Sequence, residues 1–276
     1  MGDLAADTSV RRAGDGTFRA TLSRDWEIWG PMGGYVSACA LRAVGAEEPD
    51  RVPATFSCHF LAVAEWGDVD IALLRRRETR GASSFRIELS QAGRPVLDAM
   101  VWSVSEGQGL EHDEASAPDV PAPDDLPLMT ELAPAGVWPP FPLWTNLDAK
   151  PAGLDSTWPP SGPGPAVWRQ WVRFRPAGTF DDPWVDAARS VILTDLGGWP
   201  AIQMRHGWRR PPYVALTLDL NVSFHRPAGG YDWLLVDGAA PVSTGGRFAW
   251  TTGVWSEDRV LRASGSGQCK YRRLRS

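Results

Sequence analysis

Residues 30–50 read GPMGGYVSACALRAVGAEEPD, and residues 181–198 read DDPWVDAARSVILTDLGG. In the first stretch Gly33 and Gly34 lead into an uninterrupted run from Tyr35 to Ala46. Small residues at Ser37, Ala38 and Ala40 permit close approach on several sides, as a helix buried all round requires. In the second stretch acidic residues near the start and Gly197 past the end bound another helix. The same order of elements surrounds each helix. A strand pattern near 18–22 precedes the first, and strand-like runs near 54–63, 69–77, 84–91 and 96–104 follow it. The last two are joined by QAGRP, a hairpin turn. The second helix follows the strand pattern VWRQWVRFRP (167–176) and precedes long strand patterns beginning at Tyr213, Tyr231, Gly246 and Arg259.

Strand, helix and four strands form an antiparallel sheet able to wrap one helix, and this chain carries the unit twice. A shift of 164 residues lays Phe60 on Phe224, and Val96, Leu97 and Ala99 on Val260, Leu261 and Ala263. The reading is an internal duplication forming a pseudo-dimer within one chain. Residues 1–117 and 166–276 are the two units. Between them, residues 118–165 hold 13 of the 24 prolines. Proline breaks helices and central strands, so this stretch reads as a connector. Its aromatics, Trp138, Phe141, Trp144 and Trp158, predict that it packs along the surface outside the sheets.

Composition narrows the function classes. The chain has 276 residues, 43% hydrophobic and 22% charged, which suits a globular protein with a large core. A net charge of -5 argues against a nucleic-acid-binding surface. Three cysteines, Cys39, Cys58 and Cys269, form no C-x-x-C pair, and an odd count predicts a reducing, cytoplasmic setting. Neither a signal peptide nor a membrane span is expected. Four histidines show no metal spacing, so no metal is expected. G-x-S-x-G, Walker and G-x-G-x-x-G motifs are absent. Fifteen tryptophans against four tyrosines are the compositional oddity, and their large apolar area suits wide sheets and apolar tunnels.

Several motifs resemble one family. TDLGGWP (194–200), ALTLDLNVSFHRP (215–227), SGSGQCKYRR (264–273) after EDRVLRA, and GPMGGYVSACAL (30–41) are similar to the acyl-CoA thioesterase II, or TesB-like, thioesterases. The resemblance covers roughly residues 15–275. It implies an α+β double hotdog: two antiparallel sheets, each wrapping a long helix. It also implies hydrolysis of acyl-CoA to free acid and CoA, with a water held by an Asp, a Thr or Ser, and a Gln. The matching residues are Asp195, Thr217 and Gln268. Coenzyme A then enters as part of the substrate, no separate cofactor is expected, and further pairing into a homo-oligomer is.

The residue types fit that chemistry. Asp195, near a helix C-terminus where the dipole disfavours a carboxylate, is the expected base. Thr217 both donates and accepts through one hydroxyl, and Gln268 offers an amide. Gly33, Gly34 and Tyr35 bring helix N-terminal amides, with those of Gly34 and Tyr35 expected to meet the thioester oxygen. Arg205, Arg209, Arg210 and Lys270 are candidates for the CoA phosphates. Under the 164 shift, Thr217 falls on Pro53 and Gln268 on Val104, while Ala46 or a neighbour stands where the second helix has Asp195. That predicts one active site per chain. Two alternatives are a hotdog hydratase or dehydratase, which would pair an Asp with a His, and a non-catalytic acyl-CoA or fatty-acyl binding protein.

Overall fold

The computed structural model describes residues 1–134, 141–154, 158–208 and 213–274. A short helix α1 (Leu4–Asp7) leads into β1 (Arg11–Gly14) and β2 (Thr17–Leu22). Helix α2 (Gly33–Glu47) follows, then β3 (Val52–Phe60), β4 (Gly67–Glu78), β5 (Ala82–Gln91) and β6 (Arg94–Val104). Beyond α3 (Met129–Leu132) come β7 (Leu147–Ala152), β8 (Val167–Phe174), α4 (Pro183–Leu196) and α5 (Gly198–His206). The chain closes with β9 (Tyr213–Phe224), β10 (Trp233–Thr244), β11 (Arg247–Ser256) and β12 (Leu261–Arg273).

The twelve strands form one antiparallel sheet in the order β1-β2-β4-β5-β6-β3-β9-β12-β11-β10-β8-β7. The expected two sheets are therefore fused by the β3–β9 pair, in which Thr55 to His59 lie against Ser223 to Asp219. Each half curls around its helix. Eleven of the fifteen α2 residues and twelve of the fourteen α4 residues are buried, the burial of a helix enclosed on all sides. This is the double hotdog fold.

The helices run antiparallel through glycines. A Cβ on Gly34 would lie 3.0 Å from the Ile192 Cα, and one on Gly45 would lie 2.4 Å from the Trp184 ring. The two ends of this helix pair are chemically unlike. Helix α4 is capped by its own Asp182, whose Oδ1 accepts from the Trp184 amide at 2.8 Å. Helix α2 has no side-chain cap at Met32. Its first turn faces the C-terminal end of α4, where Asp195 sits. At the pseudo-symmetric end the Trp184 ring fills the space against Gly45, one residue from the Ala46 neighbourhood expected, and the carboxyl that caps α4 there is its own Asp182, paired with Arg42.

A matched irregularity marks the duplication. The β9–β12 ladder skips Leu218, and the β3–β6 ladder skips Ala54, 164 residues earlier. The partner strands are not aligned by the same shift. Gln268 lies opposite Asp219, whose counterpart Thr55 lies opposite Trp102, so Trp102 and not Val104 is the equivalent of Gln268. Thr217 and Pro53 do correspond.

The proline-rich stretch holds more structure than a surface connector. Its β7 pairs with β8 as the outer strand of the sheet. The Trp171 indole donates to the Pro121 carbonyl at 3.0 Å, and Met129 and Leu143 are buried. A second departure lies after Asp195: the glycines there do not end in a loop, because α5 starts at Gly198. Among the described residues no helix is long and apolar enough to cross a membrane.

Candidate active site

Asp195 lies in the last turn of α4 and reaches across to α2. The Gly34 amide donates to its Oδ2 at 2.8 Å, and the Thr217 hydroxyl donates to its Oδ1 at 3.3 Å. The carboxyl thus caps α2 from the other helix, placed between the negative end of its own helix and the positive end of its neighbour. It opens onto a cavity rather than onto bulk water. Burial pushes its pKa up to about 6, against the lowering pull of the Gly34 and Thr217 hydrogen bonds.

Thr217 points at Asp195 because of the bulge. Below the bulge, β9 buries Leu220 and Val222 on its inner face. Strict alternation would continue to Leu218 and Leu216. The extra residue at Leu218, which is 40% exposed, reverses the parity and turns Thr217 and Ala215 inward instead. Thr217 also lies 3.7 Å from the Cys269 sulfur.

Gln268 is not brought to this site. Strand β12 has its bulge at Arg262, and from Ala263 onward it alternates regularly, so Ala263, Gly267 and Cys269 are buried and Gln268 lies on the exposed face. An inward amide here would have to sit at 267, where a Cβ would lie 2.3 Å from the Trp250 ring. Cys269 takes the place beside Thr217. Burial, and then the nearby Asp195 carboxylate, raise its pKa well above the usual thiol range, so it is a neutral wall residue rather than a nucleophile.

The expected oxyanion amides divide. Gly34 N–H is engaged by Asp195, which corrects its assignment to the thioester oxygen. The Gly33 and Tyr35 amides belong to the same helix turn. The Tyr35 side chain faces the core of the first half, where its hydroxyl donates to the Asp7 carbonyl at 2.8 Å and its ring stacks on Trp26 at 5.2 Å. Of the phosphate candidates, Arg205 and Lys270 are both exposed and form no salt bridge among the described residues. Arg205 is in the last turn of α5, not in a loop. Arg209 and Arg210 lie outside the described residues.

Asp195, Thr217 and Cys269 form part of the wall of a cavity of about 900 Å³. It lies mainly within the second half, with Ile28, Trp29 and Met32 contributed by the first half and Phe141, Leu143 and Trp144 by the connector. Seven of the fifteen tryptophans line it: Trp29, Trp144, Trp158, Trp168, Trp199, Trp208 and Trp250. The tryptophan excess was visible in the sequence, but its convergence on one cavity was not. No histidine lines it among the described residues. His225 is exposed and bonded to the Ser264 hydroxyl at 2.9 Å, so the Asp–His pair of a hydratase is not formed. Among those residues no cluster of three His, Cys, Asp or Glu could hold a metal ion.

Two enclosed helices and a fused sheet define a double hotdog protein, with a half-buried carboxyl on the wall of a largely apolar cavity. Residues 22–104 match the family model of the acyl-CoA thioesterase N-terminal domain, and residues 117–266 match that of the acyl-CoA thioesterase C-terminal domain. The chain belongs to this family and so to the thioester hydrolases. Uncharacterised proteins of Mycobacterium tuberculosis and Mycobacterium bovis are 28% identical over 244 residues, covering 79% of this chain and 78% of theirs. A hot dog fold protein of unknown function from Alicyclobacillus acidocaldarius superposes with a TM-score of 0.80 at 24% identity, covering 98% of this chain and 97% of the other. The acyl-CoA thioesterase II TesB2 of Mycobacterium marinum gives 0.80 at 19% identity, with 98% of both chains covered.

Proposed function

We propose that this protein hydrolyses acyl-CoA thioesters with one water activated by Asp195, the acyl group lying in the tryptophan-lined cavity. The observation that carries this reading is a carboxyl at the cavity wall whose pKa is pushed up to about 6. A base in that range is ionised at neutral pH yet basic enough to take a proton. Asp195 accepts a proton from water, the hydroxide attacks the thioester carbon, and the C–S bond breaks. The proton then passes to the leaving CoA thiolate, giving free acid and CoA. Thr217 holds the carboxylate in one orientation. The Gly33 amide, at the positive end of α2, is the donor left for the developing oxyanion, since Tyr35 is fully buried. Arg205 and Lys270 remain the candidates for the CoA phosphates. The chemistry uses no resident cofactor and suits a cytoplasmic setting.

Thiol release from a panel of acyl-CoAs tests the reading. The rate is expected to rise with pH along a single ionisation near 6 as Asp195 loses its proton, and then to level. A profile flat between pH 5 and 8, or no release from any acyl-CoA, would contradict it.

Thr217→Val keeps the shape and removes the hydroxyl. The Asp195 carboxylate then loses one of its two hydrogen bonds, so its pKa should rise further. A shift of the acid limb to higher pH is expected, with a loss of roughly tenfold in kcat at neutral pH. Gln268→Ala should leave kcat within about twofold, since the side chain faces solvent. A pH–rate profile of each purified variant reads both effects, and an unmoved limb in Thr217→Val would remove Thr217 from the scheme.

A further inference from the structure

Strand β8 carries two polar groups on its inner face that the proposed hydrolysis does not use. Trp168 and Gln170 alternate with Arg169 and Trp171, so both side chains point to the same side. They are 3% and 1% exposed, and both line the cavity. Among the described residues, the Trp168 indole N–H and the Gln170 side-chain Nε2 lack any hydrogen-bond partner. The Trp168 ring is held by its neighbours, with Trp208 at 5.1 Å and Trp158 at 6.1 Å, so its N–H cannot swing to a new partner. Buried polar groups are nearly always paired, and leaving one unpaired is unfavourable. Two such groups at i and i+2 on one wall, in a cavity lined mainly by tryptophan and other apolar side chains, match an oxygen on the bound molecule.

The charge of that oxygen follows from the lining. Among the described residues no lysine, arginine or histidine lines the cavity, so a second carboxylate would be buried without a counter-charge. A neutral hydroxyl or oxo group has no such cost, and it can accept from an indole N–H and bond an amide at once. Its position follows from the sheet. Thr217 is on β9 and Gln170 on β8, four strand steps apart through β12, β11 and β10. At about 4.8 Å per step, that is roughly 19 Å along the curved sheet, and less across the cavity. The oxygen therefore lies well beyond the first few carbons from the thioester.

We propose that the preferred substrates are acyl-CoAs whose acyl group carries a neutral hydroxyl or oxo group remote from the thioester, read by Gln170 and Trp168. This rests on the reading that the cavity takes the acyl group. Gln170 and Trp168 are then specificity-determining residues, distinct from the groups that activate water.

The test uses dodecanoyl-CoA and its monohydroxy derivatives at successive positions along the chain, with the matching free acids. The parent protein is expected to favour at least one remote hydroxy derivative in kcat/KM over the plain chain by about tenfold to a hundredfold, and to show no such preference for the 3-hydroxy compound. Gln170→Leu should bring that ratio close to one. Trp168→Phe, which keeps an aromatic ring and loses the pyrrole portion with its N–H, should lower it several-fold and covers the case in which the first variant does not fold. Binding of the free acids, followed by quenching of tryptophan fluorescence, should show the same order. Equal kcat/KM for every member of the series, or equal losses on plain and hydroxylated chains in both variants, would overturn the proposal. If no thioester is cleaved, hydrolysis itself is refuted, and the free-acid binding order still decides: a remote hydroxyl that binds no tighter overturns the inference.

Discussion

Asp195→Asn is expected to lower kcat for acyl-CoA hydrolysis by about 10²–10⁴-fold, the usual contribution of a general base. The amide is nearly the shape of the carboxyl, and its oxygen can still accept from the Gly34 amide, so binding of acyl-CoA should change little. The same variant has a stability signature of the opposite sign. The Asp195 carboxyl ionises at about 6 in the folded chain against an ordinary 3.8. Between those pH values the folded state binds more protons than the unfolded one, so stability falls as pH rises through the window. Two pK units correspond to at most about 3 kcal/mol. At pH 8 Asp195→Asn should therefore melt no lower than the parent, and up to that amount more stably, while at pH 4 the advantage disappears. Thermal melts at the two pH values, beside thiol-release rates, separate a poised base from a structural cap. A rate within a few-fold of the parent, with melts unchanged at both pH values, would falsify the assignment.

Gly238→Ala should be among the most damaging single-methyl insertions. Gly238 of β10 lies against Gly197, the junction of α4 and α5. A Cβ there would stand 2.6 Å from both the Cα and the carbonyl oxygen of Gly197. These are backbone atoms with no rotamer to yield, so the helix junction itself must move. Overpacking of this kind costs about 3 kcal/mol or more, a melting-point drop of roughly 6–12 °C for a chain of this size. The displaced junction is two residues from Asp195, so kcat should fall as well. Gly81→Ala, where the added methyl meets nothing within 4 Å, is the control and should melt within about 2 °C of the parent. A Gly238→Ala protein as stable as that control would mean that the α4–α5 turn is looser than its packing implies.

These two residues differ in how readable they are. Asp195 was legible through the motif TDLGGWP that the chain shares with the thioesterases, at the end of a helix bounded by Gly197. The importance of Gly238 did not, because nothing within its own strand shows that a helix junction 41 residues away rests on its Cα. Likewise, small residues along Tyr35–Ala46 suffice to predict one enclosed helix, since local composition limits how closely a sheet can wrap, and the acidic start and glycine stop bound the second. The repeated element order suffices to predict the duplication. The proline-rich stretch shows the limit of that reasoning: proline composition suggested a bare connector, yet β7 found a place at the sheet edge, where an unpaired N–H is tolerated.

The sequence by itself determined the double unit, because it is written in local pattern as glycine and alanine spacing and repeat order, and the motifs it shares with the thioesterases pointed to Asp195 and Thr217, which the fold brings together. Tertiary structure alone decided which side chains meet. A single extra residue at Leu218 reverses the parity of β9 and turns Thr217 inward, while the regular alternation of β12 from Ala263 onward leaves Gln268 outside. The Gly34 amide is tied to Asp195 across 161 residues, which removes it from the oxyanion role that its helix position suggested. Seven tryptophans scattered from 29 to 250 converge on one cavity, and Trp168 and Gln170 face it with unpaired polar atoms. Register, bulges and long-range hydrogen bonds arise from pairing between distant segments, so no window of the chain contains them.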